Sequence, residues 1–346
     1  MNTHMMAAVL HGKEQLRVEP VAIPTLHDGD VLVRVRAALT CGTDVKVFRR
    51  GYHARMIVPP AVFGHELAGD VVAVSGSVKN FHVGQRVVAA NSAPCLECFY
   101  CKKGLENLCE DLLFNNGAYA EYIRIPARIV QRNMLLLPDH ITYQDAALVE
   151  PLACVLRGLK ETGVQEGDTV AVIGLGSIGL MFVHMAKVAG ARVIAIGRRK
   201  TQLDRALAMG AGELVLTGDR ADPVEPVRRL TKGRGADIAI EAVGNPETWE
   251  HAVQMVRRGG TVNFFGGCPS QTRVTLDTNL LHYSEITCKA SFHHTPTHIK
   301  RALEQISRGE ITAHDFVNRE EPLSSILEVL RHLMSHNGHL KTAIIP

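Results

Sequence analysis

Residues 169–190, TVAVIGLGSIGLMFVHMAKVAG, place a short apolar run directly before a glycine-rich turn and a helical stretch. A strand that enters a helix through G-x-G-x-x-G directs backbone N–H groups toward a pyrophosphate. Gly174 permits the tight turn, Gly176 lets the phosphates approach, and Gly179 allows close helix packing. The pattern therefore predicts a dinucleotide-binding turn. Its residues are Gly174, Gly176, Ser177, Ile178 and Gly179.

The pattern of predicted strands and helices changes near residue 150, and this change indicates two domains in the 346 residues. After that point, short apolar strands such as RVIAIG, ADIAIEAVG and GGTVNFFGG alternate with helical stretches such as KTQLDRALAMGA. This alternation predicts an α/β domain with a doubly wound parallel sheet. Residues 5–90 instead carry short β-rich runs separated by Pro and Gly turns, which is typical of a strand-rich, barrel-like domain.

Composition and charge exclude several classes of partner. The formal net charge is +3, and the longest basic run is Arg198-Arg199-Lys200, so we expect neither nucleic-acid nor membrane binding. The first twenty residues lack a secretion signal, and no stretch approaches the ~18 apolar residues of a membrane span. We expect a cytoplasmic protein, in which clustered cysteines are more often metal ligands than disulfides.

The second predicted strand of the α/β domain bears on the choice of dinucleotide. RVIAIG ends at Gly197, where NAD binding needs an acid to hold the ribose 2′-hydroxyl. Arg198 and Arg199 follow directly, and a guanidinium fork matches a 2′-phosphate. This favours NADP over NAD, although two arginines in a loop are also consistent with an ordinary solvated surface.

The segment CLECFYCKKGLENLC, residues 95–109, holds four of the eight cysteines. Their spacing is C-x2-C-x2-C-x7-C, and short C-x2-C steps let one loop supply several ligands to a tetrahedral zinc ion. Four thiolates leave no open coordination position, so this metal would be structural. An iron–sulfur cluster accepts the same ligands and remains an alternative. The predicted ligands are Cys95, Cys98, Cys101 and Cys109.

A second metal site, with an open position, is predicted from separated residues. Cys41 lies in TCGTD, and His65 and Glu66 lie in FGHELAG. Each alone is consistent with a packed core residue. Together they offer a thiolate, an imidazole and a carboxylate, which suit a zinc ion that can polarise an alcohol oxygen and ease hydride departure. Asp44 and Glu150 are candidate acids for orienting His65 or holding bound water.

With these motifs in this order, the sequence resembles the zinc-dependent medium-chain alcohol dehydrogenases, most closely their sorbitol and threonine dehydrogenase branch, over nearly the whole chain. The matching motifs are TCGTD at 40–44, GHE at 64–66, the four-cysteine segment, Glu150-Pro151, GLGSIG and EAVG at 241–244. The resemblance implies a GroES-like β-rich catalytic domain, a Rossmann domain, and a final segment that returns to the first domain. The implied ranges are 1–152 with a structural zinc lobe at 91–112, 153–291, and 292–346.

The resemblance also implies roles for the residues of the open site. Cys41, His65 and Glu66 surround a catalytic zinc, Glu150 lies close to it, and Thr43 passes the alcohol proton toward solvent. It further implies one catalytic and one structural zinc ion per chain, NADP or NAD as cofactor, and a homodimer or homotetramer.

Two positions depart from the family pattern. Lys46 stands where many relatives have a histidine, which puts the usual route of the outgoing proton in doubt. At the second position, sorbitol dehydrogenases have an Arg and a Tyr that line the polyol pocket. This sequence instead has the segment SFHHTP, which contains His293 and His294. Either histidine is a candidate for binding substrate hydroxyls or for simple packing.

We therefore expect an enzyme that reversibly oxidises a secondary alcohol to a ketone and passes hydride to NAD(P). The substrate would be a polyol, a sugar or a related hydroxyl-rich small molecule. One alternative is a zinc-free, NADPH-dependent quinone or enone reductase on the same fold, although such relatives usually lack the Cys, His and Glu set. Another is a nucleotide-binding protein that has lost turnover.

Overall fold

The computed structural model describes residues 3–53, 55–218, 222–335 and 340–346. Its strands are β1 (His4–Gly12), β2 (Gln15–Ala22), β3 (Val31–Leu39), β4 (Ala61–Val62), β5 (Glu66–Val74), β6 (Arg86–Ala89), β7 (Ser92–Ala93), β8 (Leu113–Phe114), β9 (Tyr122–Ile125), β10 (Met134–Leu136), β11 (Thr169–Ile173), β12 (Arg192–Gly197), β13 (Glu213–Leu216), β14 (Ala236–Glu241), β15 (Val256–Phe264), β16 (Thr287–Ala290), β17 (Val317–Pro322) and β18 (Lys341–Ile345). Its α-helices are α1 (Gly42–Arg50), α2 (Phe99–Lys102), α3 (Ala127–Asn133), α4 (Tyr143–Ala147), α5 (Val149–Thr162), α6 (Ser177–Val188), α7 (Lys200–Ala208), α8 (Val224–Leu230), α9 (Pro246–Met255), α10 (Thr278–Tyr283), α11 (Pro296–Ser307), α12 (Ala313–Phe316) and α13 (Ile326–Met334). Two 3-10 helices span Glu106–Leu108 and Leu323–Ser325.

The chain divides into two compact units. The first unit combines Met1–Ala153 with His294–Pro346, and the second unit is Cys154–His293. Among the helices formed by the described residues, none is long and apolar enough to span a membrane.

The second unit is built on one six-stranded sheet. Its strand order is β13-β12-β11-β14-β15-β16, and every neighbouring pair is parallel. All five residues of β11 are buried, as its unbroken apolar sequence TVAVI requires in a sheet covered on both faces. The strand order reverses between β11 and β14. In a Rossmann sheet, the crevice that binds the ligand lies at such a reversal. The predicted doubly wound α/β fold is confirmed.

The first unit is dominated by antiparallel strands. Its largest sheet runs β10-β6-β5-β3-β18-β17, with β9 also paired to β3, and a smaller sheet runs β2-β1-β4. β3 alternates buried and more exposed residues over its first six positions, which is the pattern of a strand with one face on the core. The core includes Phe48, Phe63, Tyr119 and Ile125. The predicted strand-rich domain is confirmed, and β18 near the end of the chain lies within its main sheet.

Asp237 links three strands of the second unit. Its carboxylate accepts a hydrogen bond from the Thr169 backbone N–H at 2.8 Å and pairs with Arg234 at 3.1 Å and with Arg257. Burial raises the pKa of Asp237, but the hydrogen bonds from Arg257 and Thr169 and the charge of Arg234 outweigh it and hold the pKa below its ordinary value. The ionised carboxylate therefore stabilises the start of the sheet.

We expect Asp237→Asn to lower the free energy of unfolding by about 1–3 kcal/mol at pH 7, because hydrogen bonds to a charged group are lost. The native pKa lies below the unfolded value of about 3.9, so the contribution is complete above that pH and disappears as pH falls through the native pKa. Denaturant titrations at several pH values measure the difference. Asp204→Asn is the control, since Asp204 is exposed and pairs with Lys200 at the surface. An Asp237→Asn cost that stayed equally large at pH 3 would contradict the prediction.

Candidate active site

The first turn of α1 fixes the position of Cys41. Cys41 is the N-cap residue, with φ −125° and ψ 152°, and its Sγ accepts a hydrogen bond from the Thr43 N–H at 3.5 Å. Asp44 closes a capping box by accepting the Cys41 N–H at 2.9 Å. The thiol therefore lies at the N-terminus of α1, in a position fixed by these two hydrogen bonds.

A glycine positions the next two residues. Gly64 has φ +91°, and a Cβ atom there would lie 2.7 Å from the Tyr119 ring, so no other residue fits. His65 and Glu66 follow at the start of β5, where they are 5% and 0% exposed. Both side chains are thereby held in the interior of the first unit.

The predicted residues of the open site converge. Single ligand atoms of Cys41, His65 and Glu66 all lie within 4.8 Å of one another. His65 Nδ1 lies 3.0 Å from Asp44 Oδ1, so Nε2 is the ring nitrogen that remains for a metal. One thiolate, one imidazole and one carboxylate form a donor set that suits zinc and leaves a fourth position open.

Tyr119 supports this arrangement and was not predicted from the sequence. Its side chain is fully buried, and its hydroxyl donates to Asp44 Oδ2 at 2.6 Å. Burial and the Asp44 carboxylate raise the pKa of Tyr119 well above its usual value, so it stays a proton donor. Tyr119 thus positions the Asp44 carboxylate, which in turn positions His65. No local pattern in GAYAEY distinguishes this tyrosine from an ordinary core residue.

The surroundings of the open site are rich in buried acids. Burial raises the pKa of Glu66 and raises that of Glu150 to about 7. Burial lowers the pKa of His65, but the Asp44 carboxylate and Cys41 outweigh it and raise that pKa well above its ordinary value. Two buried carboxyl groups and a buried imidazole thus lie near one thiol, and these are donor groups that a divalent cation can bind.

Glu150 lies outside the three-residue group. It lies in the first turn of α5, is 8% exposed, and its Oε1 lies 3.8 Å from Nε2 of His294. The same His294 nitrogen lies 3.0 Å from Asn91 Oδ1, so this histidine is a buried neighbour of Glu150. Glu150 as a metal ligand stays a prediction.

The four-cysteine lobe is compact and local. Its Sγ atoms lie within 4.8 Å of one another, with pairs at 3.4, 3.9 and 4.0 Å. Tetrahedral zinc with ~2.3 Å bonds to sulfur separates its ligands by about 3.8 Å. Backbone hydrogen bonds lower the pKa of Cys98 to about 6, whereas burial raises that of Cys101 to about 12. Four thiolates can coexist here once a cation neutralises them, so the lobe fits a closed metal site.

The glycine turn of the second unit has the features that the sequence predicted for it. Gly174 has φ +93°, and a Cβ atom there would lie 2.5 Å from Val243. A Cβ atom on Gly179 would lie 1.7 Å from the Gly174 carbonyl oxygen. At Gly176 no atom lies within 4 Å of such a Cβ, which leaves space at the start of α6. Two glycines are thus required by packing, and the third leaves room for a pyrophosphate at a helix N-terminus. Ser177 and Ile178 begin that helix.

Arg198 and Arg199 lie at the end of β12. Arg198 is exposed, and Arg199 is half-buried as the N-cap residue of α7. A Cβ atom on Gly197 would lie 2.8 Å from Leu175 Cδ1, so packing favours a glycine where an acid was expected for NAD.

Two known families match the chain. Residues 27–138 match the family described as the alcohol dehydrogenase GroES-like domain. Residues 177–308 match the family described as zinc-binding dehydrogenase.

Individual relatives match it over most or all of its length. Sorbitol dehydrogenase of Bacillus subtilis is 32% identical over 99% of this chain and 98% of its own. L-threonine 3-dehydrogenase of Bacillus licheniformis is 37% identical over 73% of each chain. A Sinorhizobium meliloti structure, described as a zinc-binding dehydrogenase bound to NADP, is 30% identical with a TM-score of 0.89 and covers 100% of both chains.

We expect Cys98→Ser to reduce the zinc content by about half and to lower thermal stability, because one of four ligands of the closed site is lost. Metal analysis and thermal unfolding of the purified chain measure both quantities. Cys268→Ser is the matched control, since Cys268 lies in the second unit, outside both donor sets found among the described residues of the first unit. Two zinc ions per chain in Cys98→Ser, with unchanged stability, would show that the lobe does not hold a structural zinc.

Proposed function

Because this chain belongs to the zinc-dependent alcohol dehydrogenases, and is therefore an NAD(P)-dependent oxidoreductase, we propose that it oxidises one secondary hydroxyl of a polyol, sugar or related small molecule to a ketone. The reaction is reversible, and the hydride passes to the nicotinamide. The observation that carries this proposal is the convergence of Cys41, His65 and Glu66 within 4.8 Å, with Asp44 behind His65.

Cys41, His65 and Glu66 are the proposed ligands of the catalytic zinc. Zinc bound by them acts as a Lewis acid that lowers the pKa of the substrate hydroxyl. Asp44 and Tyr119 hold His65 in the orientation that presents Nε2. The capping box holds the Cys41 thiol at the helix N-terminus.

The chain's own residues handle the substrate proton. Thr43, half-buried in the first turn of α1, is the proposed first acceptor of the hydroxyl proton. Lys46 is exposed where many relatives have a histidine, so the proton leaves Thr43 through solvent water rather than through an imidazole. Glu150, with its pKa raised by burial to about 7, is suited to exchange a proton near the open site.

The second unit supplies the cofactor site. The glycine turn from Gly174 to Gly179 holds the pyrophosphate, and Arg198 with Arg199 contacts the 2′-phosphate of NADP. NADP is favoured over NAD because β12 ends in Gly197 rather than in an acid. A relative of this fold is described as bound to NADP.

The remaining features concern metal count, assembly and compartment. Two zinc ions per chain, one catalytic and one in the lobe, match the two separate donor sets that lie wholly within the first unit. The chain forms a homodimer or homotetramer through β16, whose four residues are all exposed and whose outer edge has no paired strand among the described residues. Four of the eight cysteines cluster as a metal-type donor set, and clustered cysteines of this kind are more common in a reducing compartment such as the cytoplasm.

Zinc removal tests the proposed reaction directly. We expect dialysis of the purified chain against a strong chelator to abolish alcohol-dependent change in nicotinamide absorbance, and added zinc to restore it. The assay uses polyols, sugars, amino alcohols and simple secondary alcohols, each with NADP and with NAD. Full activity without bound zinc would overturn the proposed reaction. Zinc-free oxidation of NADPH by a quinone or enone would favour the reductase, and cofactor binding without turnover of any substrate would favour the non-catalytic protein.

We expect Arg198→Ala combined with Arg199→Ala to weaken NADP binding by about 10-fold or more and NAD binding far less, because only NADP carries the 2′-phosphate that a guanidinium pairs with. Dissociation constants from nucleotide titration measure the two losses. Lys200→Ala is the control, since Lys200 is exposed and pairs with Asp204 in its own helix. Equal losses for the two cofactors would refute a role at the 2′-phosphate.

A further inference from the structure

Lys341 is one of the largest side chains that the first unit buries almost completely. It is 1% exposed, and its Nζ donates to Glu66 Oε1 at 2.7 Å, to Glu66 Oε2 at 2.6 Å and to the Thr40 carbonyl oxygen at 3.1 Å. An ammonium group has three N–H donors, so every one of them has a partner. The buried charge is therefore fully paired.

The backbone fixes this contact between residues that are 275 positions apart. β18 pairs with β3, and the Thr342 N–H donates to Thr40 Oγ1 at 2.9 Å while the Thr40 N–H donates to the Thr342 carbonyl at 3.1 Å. Glu66 begins β5 opposite Leu39 of β3. Two strands that flank β3 thus present the two side chains to each other.

The carboxylate of Glu66 belongs to two arrangements at once. It lies in the donor group with Cys41 and His65, and both of its oxygens are also held by Lys341. A fixed positive charge beside a metal ligand opposes the binding of a cation by that ligand. We propose that Lys341 is a positioning residue that competes with the catalytic metal for Glu66 and thereby sets how fast the metal leaves. This inference rests on the proposed function, because it requires a metal at the open site.

A purely structural role for Lys341 predicts the opposite effect. If Lys341 only neutralised Glu66 so that β18 could pack, its loss would leave a buried carboxylate unpaired and loosen the site. The metal would then escape faster. If Lys341 competes for Glu66, its loss frees the carboxylate for the metal, which escapes more slowly.

The test is the rate at which zinc passes from the full-length, zinc-loaded chain to a chromophoric chelator. The phase that disappears in Cys41→Ser belongs to the open site and is thereby separated from zinc in the lobe. We expect Lys341→Met to slow that phase by about 10- to 100-fold, the range over which groups behind metal ligands act. Lys341→Arg keeps the charge and should stay near the wild-type rate.

An unchanged or faster release in Lys341→Met would overturn the inference. In a Glu66→Gln background, Lys341→Met should have no effect, and a persistent slowing there would show that Lys341 does not act through Glu66. If Lys341→Met does not fold, Lys341→Gln is measured with the same criteria. A wild-type chain without any Cys41-dependent phase would overturn the proposed function itself, whereas two zinc ions with a rate insensitive to Lys341 would overturn this inference alone.

Discussion

The buried carboxylate of Asp44 is the contact on which the open site depends. It accepts the Cys41 N–H that begins α1, lies 3.0 Å from Nδ1 of His65, and accepts the hydroxyl of Tyr119. A carboxylate in a dry interior is costly unless its oxygens are hydrogen-bonded, and here the N-terminus of α1, the residue before β5 and the loop between β8 and β9 each supply a partner. The same atoms that stabilise the first unit therefore orient His65, a proposed ligand of the metal.

The two cysteine-containing sites show different relations between metal and fold. The lobe draws its four ligands from residues 95–109, so the metal it fits can stabilise that loop with little help from the rest of the unit. The open site draws its ligands from the start of α1 and the start of β5, and its supporting residues from Tyr119 and β18. A site with a vacant position needs such external support, because fewer ligands hold the ion in place.

How much of the structure can be predicted from the sequence depends on how far apart along the chain the interacting residues lie. The doubly wound sheet, the glycine turn and the lobe are encoded by spacing within a few residues, and the structure reproduces their strands and helices. Tyr119 and Lys341 could not be predicted, because their partners lie 75 and 275 positions away and neither belongs to a periodic or chemical pattern. In the sequence, Lys341 resembles an ordinary surface lysine. It is buried because β18 pairs with β3 inside the first unit.

The place of β18 in the main sheet has a consequence for the order in which the chain can fold. β18 lies between β3 and β17, yet residues 154–293 are synthesised before it. Domains usually fold as they are made, from the N-terminal end. Here all strands of the second unit are synthesised before β18, the last strand of the first unit. Until β18 is made, β3 lacks that neighbour and Glu66 lacks its counter-ion, Lys341. The first unit, which contains the earliest residues to be synthesised, is therefore the last to complete its sheet.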